Sequence, residues 1–321
     1  MFRHILVPLD GSPLAECVLP HALEIARAFT ARLTVLQVLE CPSSRDGTPA
    51  VDPLDWHLTK AESEAYLDGV AERLRDHGAD VRKACLEGRP AERVIEFAHR
   101  SGVDLIALSS HGQSGLSGWN VSSVVQKIIL RAHVSILLVR AYELVSKRLA
   151  DLRYRRLMVT LDGSHRAECV LPSATGLARH HKAEVLLTHV VRRPEMPRRA
   201  PLSAEDVELT NRVVQRNTSE ATRYLEHLHA RLSPDISEIR PCMLVAQNAS
   251  IALHELVETQ SVDLVIISAH GHSGGSRWPY GSVAVSFIVY GNTPLLIVQD
   301  LAPDELEKNR PEQVLQELKG H

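Results

Sequence analysis

A long internal repeat restricts the fold more than any other feature of this sequence. Residues 4–20 read HILVPLDGSPLAECVLP and residues 156–172 read RLMVTLDGSHRAECVLP, which puts Asp162 152 positions after Asp10. The segment VDLIALSSHGQSG at 103–115 returns as VDLVIISAHGHSG at 262–274, with His270 now 159 positions after His111. VSILLVR at 134–140 returns as TPLLIVQ at 293–299. A period this long is duplication of a whole domain, not a solenoid. The second copy has gained seven residues between the first two blocks, most simply in its Pro- and Arg-rich loop around 192–205. A chain of 321 residues suits two domains of ordinary size. We expect a first domain at 1–141, a linker at 142–153, a second domain at 154–300 and a charged tail at 301–321.

Within the first copy apolar runs and helical patterns alternate. Ile5–Leu9 is a strand that ends at Asp10-Gly11-Ser12, and Ser12-Pro13 reads as an N-cap with proline at the first helical position. One helix follows to about Phe29, with Val18, Ala22, Ile25 and Ala26 on one face. Strands are expected at Leu33–Leu39, Val81–Leu86, Leu105–Ser109 and Val134–Val139. Helices are expected at Lys60–His77 (stopped by Gly78), Ala91–Arg100 and near Ser122–Arg131, with 41–59 as loop. This βαβαβαβαβ order builds a doubly wound, Rossmann-like α/β domain: a five-stranded parallel sheet of order 3-2-1-4-5, helices on both faces. Scarce aromatics, at 4%, leave Val, Leu, Ile and Ala to fill such a core.

In that order the first and fourth strands are neighbours at the switch point, where ligands bind at carboxyl ends. Those ends carry Asp10-Gly11-Ser12 and Ser110-His111-Gly112 in the first copy, and Asp162-Gly163-Ser164 and Ala269-His270-Gly271 in the second. Glycines between a buried strand and a helix let backbone N–H groups approach an anion, aided by the helix N-terminus. Gly271 begins such a loop, Gly281 offers an unobstructed amide, and Ser282 offers an amide and a hydroxyl. Arg277 adds a charged donor for a phosphate. The carboxylate of Asp162 repels phosphate and suits ribose hydroxyls or an adenine amino group, and a nucleotide meets both requirements.

Bulk properties remove other classes. A formal charge of −3 and a pI near 6.6 do not match a phosphate backbone, so nucleic acid is not an expected partner. The basic cluster Arg192, Arg193, Arg198 and Arg199 falls among prolines and reads as a solvated loop. No apolar run reaches the roughly 18 residues of a membrane span, and Met1–Val7 enters a strand without a secretory leader, so the cytoplasm is expected. Five cysteines form no CxxC pair, and Cys17 and Cys169 read as small core residues. The seventeen histidines show no HExxH or Cys/His ligand spacing, and no dedicated metal site is expected.

The hydrophobic strand with Asp-Gly-Ser, the DLIxxSxHG block and the glycine-serine helix start resemble the universal stress protein family along essentially both repeats. Nucleotide-binding members carry G-x2-G-x9-G-[ST]. The second copy reads Ser268-Ala269-His270-Gly271, nine residues, then Gly281-Ser282, with only the first glycine replaced. The first copy reads Ser109-Ser110-His111-Gly112, nine residues, then Ser122-Ser123, and Gly118 stands where Arg277 stands later. The resemblance implies that Asp162, and Val190 through its backbone, hold adenosine. It implies that Gly271, Gly281 and Ser282 hold the phosphates of ATP, ADP or AMP, with Mg²⁺. Their counterparts Asp10, Val38, Gly112 and Ser123 then form a degraded site, with weak or absent binding because Ser122 adds a Cβ where backbone must approach closely. It further implies a regulatory or protective stress role, protein partners of unknown identity, and at most slow ATP hydrolysis. Dimerisation through the last strands would be satisfied inside the chain, by Val134–Val139 and Leu295–Val298, as a pseudo-dimer with any further homodimer optional.

Two rivals stand beside this reading. Gly271-His272-Ser273-Gly274-Gly275 fits the G-x-S-x-G of a hydrolase elbow, but several residues including Trp278-Pro279 separate Ser273 from the helix start. Only Asp300 or Asp304 and His321 follow to complete a triad. The other rival is a stress scaffold without nucleotide, acting through protein partners or an apolar ligand. His270 and His272 are candidates for a water-activating base only by proximity, and His270 reads more simply as a backbone anchor.

Overall fold

The computed structural model describes residues 1–40, 52–111, 121–141, 149, 152–194, 203–271 and 279–300. The chain divides into two compact units, Met1–Arg153 and Tyr154–His321. In the first, β1 (His4–Leu9), α1 (Pro13–Glu16), α2 (Leu19–Phe29), β2 (Arg32–Leu39) and α3 (Pro53–Asp76) are followed by β3 (Val81–Glu87), α4 (Pro90–Arg100), β4 (Leu105–Ser109), α5 (Ser123–Ala132) and β5 (Ser135–Val139). All strand pairs within it are parallel, in the order β3-β2-β1-β4-β5 expected from the alternation. β1 is central: Ile5 is in register with Leu33 on one side and Leu105 on the other. Every residue of β4 and β5 is buried, as continuous apolar runs under two helical layers require.

Local chemistry sets the element ends. Ser12 is extended (φ −87°, ψ 147°) and its Oγ accepts from Ala15 N at 3.1 Å, with Pro13 opening α1. The single helix expected from Ser12 to Phe29 is two helices. Pro20 lies in the first turn of α2 and has no N–H to return to the carbonyl four residues earlier, so the backbone re-starts there. Val18, Ala22, Ile25 and Ala26 all face the core. The loop expected to run to residue 59 is helical from Pro53, because Asp52 Oδ1 accepts from Leu54 N at 2.8 Å and Pro53 fixes the first helical φ. Cys17 and Cys169, expected in the core, are half-buried; burial still pushes both thiols up, that of Cys169 to about 12.

The second unit repeats the plan: β6 (Arg156–Leu161), a 3-10 turn at Ala167–Val170, α6 (Leu171–His181), β7 (Glu184–Arg192), α7 (Ala204–Leu232), β8 (Ile239–Ala246), α8 (Ala249–Thr259), β9 (Leu264–Ser268), α9 (Ser282–Tyr290) and β10 (Leu295–Val298). Its parallel order is β8-β7-β6-β9-β10. The extra residues of this copy were expected in a loop. They lengthen the helix instead: α7 has 29 residues against 24 in α3, and starts about two turns earlier relative to Tyr224 than α3 does relative to Tyr66. A capping box fixes that earlier start, Ser203 Oγ accepting from Asp206 N at 3.1 Å. Among the described residues no helix is long and apolar enough to cross a membrane.

Candidate functional site

In each unit the carboxyl ends of the first and fourth strands converge on a cavity. In the second unit it measures about 320 Å³ and is bounded by Asp162, His189, Val190, Gly271, Gly281 and Ser282 among others. In the first it measures about 800 Å³ and includes Asp10, Val38, His111, Ser122 and Ser123. Arg277 and Gly112 lie outside the described residues, as do His272 and Ser273.

The aspartates sit alike in the two units. Asp10 Oδ1 accepts from Ser12 N at 3.0 Å and Ser12 Oγ at 2.6 Å; Asp162 Oδ1 accepts from Ser164 N and Oγ at the same distances. The left-handed φ of Gly11 (+83°) and Gly163 (+82°) folds each serine back onto its carboxylate. Gly271 packs directly beneath Asp162: a Cβ there would lie 2.2 Å from Oδ2, so glycine is what lets the two loops close. His189 forms the floor, and burial holds its imidazole below the ordinary histidine value against the pull of Asp162.

At the helix starts the sequence reading needs one correction. The Gly281 amide is not open to a ligand, because it donates to Ala269 O at 2.8 Å and closes the loop. Ser122 N donates to Ser110 O at 2.9 Å in the same way. What distinguishes the units is the cap. Ser122 Oγ accepts from Val125 N at 3.3 Å, so α5 is capped by its own side chain. Gly281 has no side chain to cap α9, whose first-turn amides therefore face the cavity end uncapped. Gly281 has an ordinary φ of −70°, and a Cβ there would meet the protein at no less than 3.7 Å, so the residue relieves no strain in the fold. The serine replacing the first glycine of the motif is satisfied inside the loop in both copies: Ser268 Oγ donates to His270 O at 2.6 Å, and Ser109 Oγ to His111 O at 2.7 Å.

Sequence reasoning missed three groups. The first is a buried brace in the second unit. Asp300, two residues past β10 and with its carboxylate buried, accepts from His270 N at 3.2 Å and lies 2.8 Å from His270 Nδ1, while Arg166 Nε reaches its other oxygen at 2.5 Å. It ties the loop after β6 to the loop after β9. Burial would raise the Asp300 carboxyl, but His270 and Arg166 together hold it below the usual range. His270 is thus anchored by a carboxylate, beyond the backbone role expected of it. In the first unit the repeat-equivalent positions are Leu14 and Ala141, and His111 Nδ1 lies 3.0 Å from Ser110 Oγ instead. The second group is Arg192, expected to solvate a loop. It is the last residue of β7 and lines the cavity, where the first unit has Glu40. The third is duplicated: Tyr224 Oη donates to Glu168 at 3.3 Å and Arg231 pairs with the same carboxylate at 2.7 Å, as Arg73 pairs with Glu16 at 2.8 Å beside Tyr66. Comparing the two copies outside the glycine motifs would have revealed all three.

The model of the universal stress protein family matches residues 1–140 and again 153–299. A universal stress protein of Methanocaldococcus jannaschii is 30% identical over 142 residues, covering 44% of this chain and 83% of that one. The universal stress protein YxiE of Bacillus subtilis is 27% identical over 148 residues, covering 44% and 100%. In fold, the crystal structure of a universal stress protein from Archaeoglobus fulgidus superposes with a TM-score of 0.64 at 17% identity, covering 93% of this chain and 98% of that one.

Proposed function

The chain belongs to the universal stress protein family, with one copy of the family's domain in each half, and on that premise we propose that it binds an adenine nucleotide in its second half and serves stress response, in the cytoplasm, through the occupancy of that site. The observation that carries this reading is the start of α9: an uncapped helix N-terminus at Gly281-Ser282, facing a cavity whose single described carboxylate is Asp162 and whose rim holds Arg192. Amides and a cation suit phosphate, while Asp162 suits the ribose or adenine donors. Val190 contributes backbone at the end of β7. Mg²⁺ would arrive with the nucleotide. With one aspartate half-engaged by Ser164 and one hydroxyl at Ser282, these residues fit an ion held chiefly by phosphates and water.

Acid extraction of the purified chain and chromatography of the released small molecules test the proposal. ATP, ADP or AMP is expected in the extract, and the stripped chain should bind ATP with Mg²⁺ again. Absence of adenine nucleotide, with no binding at millimolar ATP, contradicts the reading. One observation favours the rival, a scaffold acting through protein partners or an apolar ligand: the second cavity is near the lower end of ligand-sized cavities, about 300–1,000 Å³.

A further inference from the structure

The larger cavity belongs to the half whose phosphate motif is weaker, and its chemistry is of the opposite sign. Three carboxylates line it, Asp10, Glu40 and Glu62, and no lysine or arginine does among the described residues. Glu40 follows β2 at the position where the second half has Arg192. The helix start that would attract an anion is already capped by Ser122 Oγ. Leu36, Val38, Val94 and Ile128 give the cavity an apolar side, among polar groups such as Gln37 and Ser63, and α3 adds Trp56 and Tyr66 to the wall. Tyr66 Oη is buried and makes no hydrogen bond of normal geometry.

We propose that the cavity of the first half binds a small organic cation with an apolar, ring-bearing body, an arylalkylamine being the simplest case. The ammonium sits among Asp10, Glu40 and Glu62, whose rim charges repel phosphate and attract a cation. The body lies against the aliphatic side, Leu36, Val38, Val94 and Ile128, beside Trp56, whose ring face also favours a cation. Asp10 therefore serves a different partner from Asp162, although the two hold identical turns. This assignment does not rest on nucleotide binding by the second half.

The test uses the full chain and three probes of one shape: tryptamine as cation, tryptophol as its neutral isostere and indole-3-acetate as anion. Calorimetry should give one tryptamine site per chain, about tenfold tighter than tryptophol, with indole-3-acetate weakest. Added salt should weaken tryptamine and leave tryptophol unchanged. Glu40→Arg, at an exposed position, should erase the preference for the cation without moving the melting temperature. Gly281→Val in the second half should leave tryptamine binding intact. Equal affinity for the three probes, no tryptamine binding, or loss of binding through Gly281→Val alone would each overturn the proposal.

Discussion

Both halves bring an Asp-Gly-Ser turn and a histidine-bearing loop to the same strand ends, yet they hold the histidine in different ways. In the second half His270 is clamped by Asp300, whose buried carboxylate also takes the half-buried Arg166. In the first, Leu14 and Ala141 fill the corresponding places and His111 Nδ1 is hydrogen-bonded with the Ser110 hydroxyl. The difference extends outward: Arg192 against Glu40, an uncapped Gly281 against a self-capping Ser122. Duplication has preserved the turn and its aspartate while changing the charged residue at the end of the second strand and the cap of the helix that faces the cavity.

Breaking the brace should have the largest effect. Asp300→Ala leaves Arg166 and His270 without their carboxylate and should cost about 2–4 kcal/mol, read as a fall in denaturation midpoint. The double variant Arg166→Leu/Asp300→Ala converts the brace toward the first half's apolar arrangement. It should cost less than Asp300→Ala alone, a non-additivity that would be absent if the groups acted independently. The pH dependence has a fixed sign. Asp300 has a native pKa below its ordinary 3.8, so its contribution is full above that value and declines as the pH falls through the lower native one. Asp300→Ala should flatten the acid limb of the stability curve.

Next in size is the closure of the second cavity. Gly271→Ala drives a Cβ into Asp162 and should remove nucleotide binding at a cost of about 1–3 kcal/mol, whereas Gly281→Ala should remove binding with little change in melting temperature. Equal loss of stability in both variants would erase the distinction drawn between the two glycines. A smaller effect comes from His189, whose counterpart is Gln37. Burial depresses its imidazole, so a neutral histidine is favoured and stability falls as the pH drops below 6.5. His189→Gln should weaken that dependence. Smallest is Ser122→Gly, which removes the cap of α5 for a few tenths of a kcal/mol. It should not create ATP binding while Glu40 remains.

The strands and their order were legible because buried parallel strands are continuous apolar runs and the repeat displayed the same alternation twice. Ser12-Pro13 was legible as a helix start; Asp52-Pro53 carries the same signal but was absorbed into a polar loop. Asp162, Gly271, Gly281 and Ser282 were legible from topology and Val190 from the family resemblance, and all five line one cavity. What the motif left hidden was direction: that the Gly281 amide turns inward to Ala269, and that Arg192 borders the cavity. The Arg166–Asp300 pair was hidden for another reason. Its members are 134 positions apart, and neither belongs to a glycine motif. Only their joint replacement by Leu14 and Ala141 marks them.

Calorimetric titration of the nucleotide-stripped chain with ATP and Mg²⁺, alongside Gly281→Val, tests the divergence of the two halves most directly. The account requires one site per chain, abolished by the substitution. Two sites per chain, or a single site that survives Gly281→Val, would place nucleotide in the first half and contradict it.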